Sequence, residues 1–331
     1  MMPGMSKQAK TGRDANAWAR FWDDEGSAAH VVKTEADAAA LRDAWQAFLE
    51  PALARRQSCR LLDIACGNAV VATHALEVAT SCGVAITPVC HDYSASALSA
   101  AREQTPALNG LLAASDAASL PFADRSLDVV VSQYGVEYAG PAAFEEAARV
   151  LRSGGLFQAI VHKVDGVIYK RCEADAALLA TTLSSGLFRS FLTLLKLLHK
   201  SGGAQQVPRS VQAAERRFRQ SFSQCAEALK GSEPGAAHDH VSRLLADISR
   251  VIGNWRAYAL SDMTNWGDGQ RLAIDGFSRR MTSMTKAALD ETAIETIAAA
   301  FREAGLKEVS FRQFEPAQHT LPAGWIINGR R

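Results

Sequence analysis

Short apolar runs alternate with segments of helical spacing along the first half of the chain. Residues 61–64 and 126–134 are such runs, and the second is rich in β-branched side chains. Runs of this length and composition are typical of strands that are buried on both faces of a parallel sheet. Residues 70–79 and 94–101 have the spacing of helices. The pattern therefore predicts an α/β fold in which strands and helices alternate.

The pattern of strands and helices continues to the end of the chain. Residues 84–92 read as a second strand that ends in an acid. Residues 147–155 read as a helix end that is stopped by glycine, and a strand at 156–161 follows. An amphipathic helix at 293–304 then precedes two short strands, which the period-2 alternation places at 308–314 and 324–329.

A long helical segment interrupts this order between the strand at 156–161 and the C-terminal tail. The spacing predicts four helices there, at 174–183, 187–199, 211–228 and 238–260. The N-terminal residues 14–57 are also helical by pattern, with Trp18 in the first helix. They form either a layer on the sheet edge or a lid, and residues 23–26 would then be a mobile acidic loop. The predicted regions are an N-terminal tail and helical lid at 1–57, a core at 58–162 plus 285–331, and a mainly helical cap at 163–284.

The turn after the first strand carries the most specific chemical signal. Asp63 lies in the apolar run, and small residues follow it, with Gly67 between Ala65 and Ala69. A tight turn of small residues between a strand and a helix lets the backbone approach a ligand at the helix N-terminus. Only the central glycine of a dinucleotide-binding motif is present, and no phosphate-binding loop motif occurs. The turn therefore predicts another kind of nucleotide site.

Residues 63–69 resemble motif I of class I S-adenosylmethionine-dependent methyltransferases, an acid followed by small residues around a glycine. Four further elements follow in the order of that family, including an acid at the end of the second strand. The resemblance covers roughly residues 58–162 and the tail, and it is nearest to the broad methyltransferase type 11 group with its quinone-biosynthesis enzymes. It implies a Rossmann-like seven-stranded sheet whose last strand is antiparallel, with a helical cap inserted.

The resemblance implies S-adenosylmethionine as the cofactor and assigns side chains to it. These are Asp63, Ala65 and Gly67 in the turn, Asp92 and Tyr93 after the second strand, and Asp116, Ala117 and Gln133 after the third and fourth strands. A carboxylate at the position of Asp92 can accept hydrogen bonds from two vicinal ribose hydroxyls. The pair Asp116 and Ala117 corresponds to residues that contact adenine in the family.

Several of these side chains also have a structural interpretation. Asp63 can cap the following helix or orient the turn, and Asp92 can cap the helix at 94–101. Asp116 can be a surface turn residue. Gln133 and Tyr134 can belong to a packed or solvated loop. The sequence leaves these alternatives open.

His162 and Tyr134 are the candidate catalytic residues, and Glu137 is a further candidate. They follow the fifth and fourth strands, at the edge where open α/β sheets bind ligands. A methyl group on a sulfonium is already activated, so the enzyme mainly holds the nucleophile in line with it. A base helps when the acceptor is a hydroxyl or an acidic carbon. A hydrogen-bonded structural role is the alternative for His162. Residues 132–135 lack the Asn/Asp-Pro-Pro-aromatic motif of enzymes that methylate adenine or glutamine amides.

Composition indicates a soluble enzyme of the cytoplasm. The net charge of +1 gives no field that would attract nucleic acid in general. The six cysteines lack metal-ligand spacing, and we predict neither a metal site nor disulfides. The N-terminus lacks the apolar core of a signal peptide. Arg189 and Lys196 interrupt the dense apolar run at 187–198, so we predict no membrane span.

We therefore expect S-adenosylmethionine-dependent methyl transfer to O, N or C of a small, partly apolar acceptor. A macromolecular acceptor is one alternative, because residues 216–219 form a local basic patch. A non-catalytic cofactor-binding scaffold is the other, because alanine replaces glycine twice in the turn. The sequence leaves the acceptor and the oligomeric state open, and it is compatible with a homo-oligomer.

Overall fold

A seven-stranded sheet is the centre of this computed structural model, which describes residues 34–54, 56–105, 108, 111–202 and 206–331. In chain order the strands are β1 Ser58–Ile64, β2 Ala85–Asp92, β3 Leu111–Ala114, β4 Leu127–Gln133, β5 Leu151–Val161, β6 Lys307–Phe314 and β7 Gly324–Arg330. Across the sheet they lie in the order β3-β2-β1-β4-β5-β7-β6. Strands β1 to β5 pair in parallel, and β7 is antiparallel to both of its neighbours. The predicted Rossmann-like sheet with an antiparallel last strand is confirmed.

Ten α-helices accompany the sheet in the part of the chain that the structure describes. They are α1 Glu35–Leu53, α2 Val70–Cys82, α3 Ala95–Gln104, α4 Pro141–Val150, α5 Val167–Ser184, α6 Leu187–Ser201, α7 Arg209–Lys230, α8 Ala236–Gly253, α9 Leu260–Ala287 and α10 Glu291–Glu303. Helix α1 packs on α2, and α10 packs on α4. The predicted helix around Trp18 and the predicted acidic loop at 23–26 lie outside the described residues.

Aromatic rings hold α4 and α10 against the sheet. Phe144 of α4, Phe157 of β5 and Phe301 of α10 are buried, with ring centroids 5.0 to 6.4 Å apart. Burying a phenylalanine side chain stabilises a fold by about 1.5–3 kcal/mol, and edge-to-face ring pairs add to this. This packing fixes the strands whose carboxyl ends carry the candidate catalytic residues.

Asp128 connects several elements where β4 begins, at the end of the sheet away from those residues. One carboxylate oxygen accepts hydrogen bonds from Arg56 at 2.8 Å and from Arg152. The other accepts from the backbone N–H of Arg60 in β1 at 2.8 Å. The side chain of Asp128 is only 5% exposed. This buried carboxylate therefore joins β1, β4 and β5.

The beginning of β5 differs from the prediction. We predicted a helix end at 147–155, but α4 ends at Val150 and β5 already begins at Leu151. The pairing of β4 with β5 shifts register between Leu127 and Val129, which marks a bulge. Gly154 has a φ of 73° beside this irregularity. Gly154 and Gly155 thus allow a bulge in a strand. The sequence pattern was interpreted instead as the glycine stop of a helix.

The described residues cluster into two compact units, one made of 34–170 and 283–331 and the other of 171–282. The predicted boundaries of the cap stay a prediction. Within the second unit, the helix predicted at 238–260 ends at Gly253, and a 28-residue helix, α9, follows at Leu260–Ala287. We did not predict α9. A Cβ atom on its Gly267 would lie 3.2 Å from the ring of Phe191, so this glycine permits close helix packing.

One apolar segment of the described chain, Val167–Ser201, has the length and composition of a membrane span. Of its most apolar window, 44% is buried inside the protein. A turn at Ser185 and Gly186 divides the segment into α5 and α6, of 18 and 15 residues. A spanning helix needs about 20 residues. Composition alone is therefore weak evidence for a span.

Candidate active site

The turn between β1 and α2 has an unusual backbone conformation. Ala65, Gly67 and Ala69 have φ values of 52°, 53° and 59°. This left-handed region costs residues other than glycine about 1–2 kcal/mol. The two alanines therefore adopt the backbone that glycines of the motif would adopt more easily. A Cβ atom on Gly135 would lie only 2.6 Å from the Cβ of Ala65, so a glycine at 135 makes room for this alanine.

Asp92 fixes the turn from the end of β2. Its Oδ2 accepts a hydrogen bond from the backbone N–H of Gly67 at 2.9 Å, and its Oδ1 accepts from Ser94 N–H at 2.8 Å. The cap of α3 is Ser94, whose side chain accepts from Ala97 N–H. Burial raises the pKa of Asp92, although the N–H groups of Ser94, Gly67 and Tyr93 oppose this. The structure thus places Asp92 against the turn and gives the capping role to its neighbour.

Asp63 lies beneath the same turn and is 1% exposed. Its Oδ2 accepts from the backbone N–H of Ala72 in the first turn of α2 at 3.1 Å, where the N-cap residue Ala69 offers no side-chain acceptor. Its Oδ1 has no hydrogen-bond partner among the described residues. Burial raises the pKa of Asp63 to about 7, and the charge of Asp92 adds to this. Asp63 therefore caps α2 and keeps one buried oxygen unpaired.

The raised pKa of Asp63 predicts a specific dependence of stability on pH. In the unfolded chain this carboxyl has a pKa of about 3.9, so between pH values of about 4 and 7 the folded state binds more protons. The free energy of unfolding therefore falls as pH rises through this window, by up to about 4 kcal/mol from this group. We expect Asp63→Asn to remove that fall, as measured by urea unfolding at several pH values.

The matched control for this measurement is Asp116→Asn, because Asp116 is exposed. It should keep the wild-type dependence of unfolding free energy on pH. An Asp63→Asn variant with the same pH dependence as wild type would show that Asp63 ionises normally in the folded protein.

The residues after β2 and β3 lie at the carboxyl edge of the sheet. Tyr93 follows Asp92 and is 59% exposed. Asp116 is also exposed, and its Oδ1 accepts from Ala118 N–H at 2.9 Å in a local turn. Ala117 is buried in the core. The structure thus leaves the Tyr93 ring and part of the Asp116 carboxylate accessible, and their contacts with a cofactor stay predictions.

The loop after β4 is held by contacts that link distant parts of the chain. Trp45 of α1 donates its indole N–H to the amide oxygen of Gln133 at 2.7 Å. The hydroxyl of Ser132 donates to the carbonyl of Ile64 at 2.8 Å and accepts from Val136 N–H. The oxygen of Gln133 is therefore engaged within the protein, and its role in cofactor binding stays a prediction.

Tyr134 and His162 lie together. Their ring centroids are 4.6 Å apart. The Tyr134 hydroxyl donates to the carbonyl of Ala323 at 3.4 Å, and burial followed by the charge of Glu137 raises its pKa. A Cβ atom on Gly324 would lie 3.2 Å from the Tyr134 ring, so this glycine leaves space for it. The structure thus brings the two predicted catalytic residues into contact at the carboxyl ends of β4 and β5.

The sequence analysis did not predict a polar cluster near this site. Asp37 of α1 accepts hydrogen bonds from Gln318 at 2.7 Å and His319 at 2.6 Å, as well as from Thr34. Burial opposes ionisation of Asp37, but these bonds outweigh it and lower its pKa. The cluster attaches α1 to the loop before β7. Because Asp37 and His319 are far apart in the chain, no local pattern could have revealed their contact.

A groove of about 1370 Å³ lies elsewhere on the first unit. Its lining includes Ser58 at the start of β1 and Gly154 near the start of β5, and none of the predicted site residues. Ligands of open α/β sheets bind at the carboxyl ends of the strands. The groove lies at the amino ends of these strands, so we do not assign it to the cofactor.

Comparison with known proteins agrees with this geometry. Residues 62–159 match the family model described as a methyltransferase domain. This part of the chain is a class I S-adenosylmethionine-dependent methyltransferase domain. The ubiquinone/menaquinone biosynthesis C-methyltransferase UbiE of Dinoroseobacter shibae is 36% identical over 123 residues, which are 35% of this chain and 47% of that protein. A demethylmenaquinone methyltransferase of a Mycobacterium species is 35% identical over 113 residues, 30% of this chain and 44% of that protein.

The methyltransferase domain is thus shared with these relatives, and the chain spans less than half of the length of either. An S-adenosylmethionine-dependent methyltransferase from Mesorhizobium loti is a structural neighbour at 23% identity. The structural match covers 39% of this chain and 56% of the Mesorhizobium loti chain, with a TM-score of 0.33. The family model that matches residues 62–159 implies S-adenosylmethionine as the cofactor of this domain.

The residues around the turn fit this cofactor. S-adenosylmethionine carries a sulfonium and an ammonium, which are both positive, and one carboxylate. Asp63 and Asp92 have raised pKa values in this structure, and Oδ1 of Asp63 is a buried acceptor without a partner. Neither carboxylate has a positively charged neighbour that lowers its pKa in the described part of the chain, so a bound cation would stabilise the ionised form.

Proposed function

We propose that the chain transfers a methyl group from S-adenosylmethionine to O, N or C of a small, partly apolar acceptor. One observation carries the proposal. Gly67 N–H and the Asp92 carboxylate meet at 2.9 Å in a positive-φ turn at the carboxyl end of β1. The methyltransferase domain at 62–159 supports the choice of donor.

When bound, S-adenosylmethionine supplies a methyl carbon that its sulfonium activates toward nucleophiles. The residues of the turn around Gly67 would hold its methionine half, and Asp92 would accept hydrogen bonds from ribose hydroxyls. The exposed ring of Tyr93 offers an apolar face to adenine. The negative charges of Asp63 and Asp92 would stabilise the cationic groups. In this arrangement the chain contributes binding and orientation, which can supply a large part of the rate enhancement.

The acceptor that we propose is an aromatic small molecule. Two curated relatives are named for quinone biosynthesis, and Tyr134 lies at the edge of the sheet where the acceptor would bind. Aromatic side chains favour aromatic ligands through offset and edge-to-face contacts. A quinone-like ring is therefore the first acceptor class to test. Action in the cytoplasm and a homo-oligomeric state stay predictions.

We expect Asp92→Ala to weaken binding of S-adenosylmethionine by about 1.5–3 kcal/mol, or roughly 10- to 150-fold in Kd. The reason is the loss of a charged acceptor and of the bond that fixes Gly67. Isothermal titration of S-adenosylmethionine into both proteins measures the change. Glu103→Ala is the matched control, because Glu103 is an exposed acid of α3. It should bind like wild type.

Equal affinities of wild type and Asp92→Ala would contradict this site. If the wild-type chain gives no heat with S-adenosylmethionine and no competition by S-adenosylhomocysteine, the proposed function itself is wrong. Methyl transfer to RNA with a steep loss at higher salt, and none to small phenols or amines, would favour the macromolecular alternative.

A further inference from the structure

Glu137 and His162 form a close pair that crosses from the loop after β4 to the end of β5. Oε1 of Glu137 lies 2.6 Å from Nδ1 of His162 and also accepts the backbone N–H of His162 at 3.0 Å. Because this oxygen accepts the backbone N–H, it serves as the acceptor of both bonds. In the neutral imidazole the proton therefore lies on Nδ1, and the lone pair lies on Nε2.

The pair is buried and only half satisfied. The side chains of His162 and Glu137 are 2% and 0% exposed. Nε2 of His162 and Oε2 of Glu137 have no hydrogen-bond partner among the described residues. Buried polar atoms without partners are costly and rare in native proteins, and they concentrate at functional sites.

The pair lies at the carboxyl ends of β4 and β5, where open α/β sheets bind their ligands. His162 directly follows β5, and Glu137 belongs to the short 3₁₀ helix Val136–Ala139 just after β4. The rings of Tyr134 and Tyr138 flank the imidazole, with centroids 4.6 and 5.8 Å from it. Two aromatic rings therefore lie beside the imidazole.

We propose that His162 Nε2 is the general base of the methyl transfer, that Glu137 is its positioning residue, and that the acceptor is a phenol or enol. This inference rests on the proposed methyl transfer and names its substrate class. The acceptor oxygen forms a bond to the methyl carbon while the carbon–sulfur bond breaks and its electron pair stays on sulfur. Where the ring carbon conjugated with that oxygen attacks instead, this carbon afterwards loses its own proton to water while the oxygen regains one, and the ring is restored. The hydroxyl proton moves to Nε2, and the carboxylate of Glu137 stabilises the resulting imidazolium until water removes that proton.

The acceptor class follows from the need for a base. A neutral amine or a thioether attacks with its own lone pair and loses no proton in the transfer step. A neutral phenol is a poor nucleophile until its hydroxyl proton leaves, which happens unaided only near pH 10. A positioned base makes this loss possible at neutral pH. Tyr134 is unsuitable as the base, because burial raises its pKa further.

Access to Nε2 requires one of the flanking rings to turn aside. Tyr134 is the ring that we assign to this movement, because its hydroxyl contacts the carbonyl of Ala323 at only 3.4 Å. An aromatic acceptor could replace the contact that this ring makes with the imidazole.

The test compares two matched acceptors, catechol and 4-nitrocatechol, with benzylamine as the amine probe. Near pH 8 the nitrocatechol is already ionised, whereas catechol keeps its protons. We expect wild type to methylate catechol, and His162→Gln to lower kcat for catechol by at least about 100-fold. For 4-nitrocatechol the loss should be less than about tenfold, because no base is needed. Glu137→Gln should show the same selective loss for catechol. Glu137→Asp keeps the carboxylate and should lose less activity on catechol than Glu137→Gln.

Titration with S-adenosylmethionine checks each variant separately, and Kd should stay within about twofold of wild type. Glu145→Gln, on the exposed surface of α4, is the control and should act like wild type on both catechols. Equal losses for the two catechols would show a structural role and overturn the proposal. So would unchanged rates, methylation of benzylamine alone, or no transfer to any probe by a protein that binds S-adenosylmethionine. Failure of wild type to bind S-adenosylmethionine would instead refute the proposed function.

Discussion

Replacing Gly67 by valine is expected to weaken S-adenosylmethionine binding by at least roughly 100-fold. Gly67 has a φ of 53°, and its N–H donates to Asp92. A β-branched residue avoids this region at a cost of about 1–2 kcal/mol or more, so the free turn would relax to another backbone conformation. The branched side chain would also fill the space in which the backbone of the turn approaches the ligand. A 100-fold loss corresponds to about 2.8 kcal/mol, because each 1.4 kcal/mol is a factor of ten in Kd.

Gly83→Val is the matched control for this prediction. Gly83 caps the far end of α2 with a φ of 68°, and a Cβ atom there would meet nothing within 4 Å. The backbone strain is of the same kind, but the position is remote from Asp92. We expect both variants to lose unfolding free energy and only Gly67→Val to lose affinity in calorimetric titration. Near-wild-type affinity of Gly67→Val would show that the cofactor does not use this turn.

Asp128→Ala is expected to have the largest effect on stability. The substitution leaves the charge of Arg56, whose side chain is 15% exposed, and the backbone N–H of Arg60 without their partner. Removing one member of a buried ion pair costs about 3–5 kcal/mol. We expect the free energy of unfolding in urea to fall by about that amount, while the denaturant slope stays constant.

The control is Asp124→Ala. The side chain of Asp124 is 73% exposed, and the substitution removes its ion pair with Arg149. Exposed ion pairs contribute about 0–1 kcal/mol, so this variant should unfold almost like wild type. Similar losses for the two variants would contradict the structural role that we assign to Asp128. Because Asp128 lies at the other end of β4 from Tyr134, the folded Asp128→Ala protein should bind S-adenosylmethionine normally.

Local sequence patterns predicted the strands well in their order along the chain. The β-branched run in β4 and the period-2 alternation in β6 are visible in the sequence, because burial on a sheet imposes them. The turn was found for a similar reason, since its acid and small residues are adjacent in the chain. The structure also decides whether the two acids cap the helices that follow them. Asp63 caps α2, whereas α3 is capped by Ser94 and not by Asp92.

Features that depend on distant contacts could not be predicted. Glu137 and His162 are 25 residues apart, and Trp45 and Gln133 are 88 apart, so their hydrogen bonds have no local signature. Helix α9 was missed because it contains glycines, which have a low helix propensity. In this helix Gly267 permits close packing against Phe191, and tertiary contacts outweigh that propensity.

A crystal structure of the chain with S-adenosylhomocysteine tests the central claim most directly. We predict that the sulfur lies beside the turn at Gly67 and that the ribose hydroxyls are within hydrogen-bond distance of the Asp92 carboxylate. Well-defined density for the ligand elsewhere, with Asp92 contacting only the N–H groups of its own turn, would contradict it.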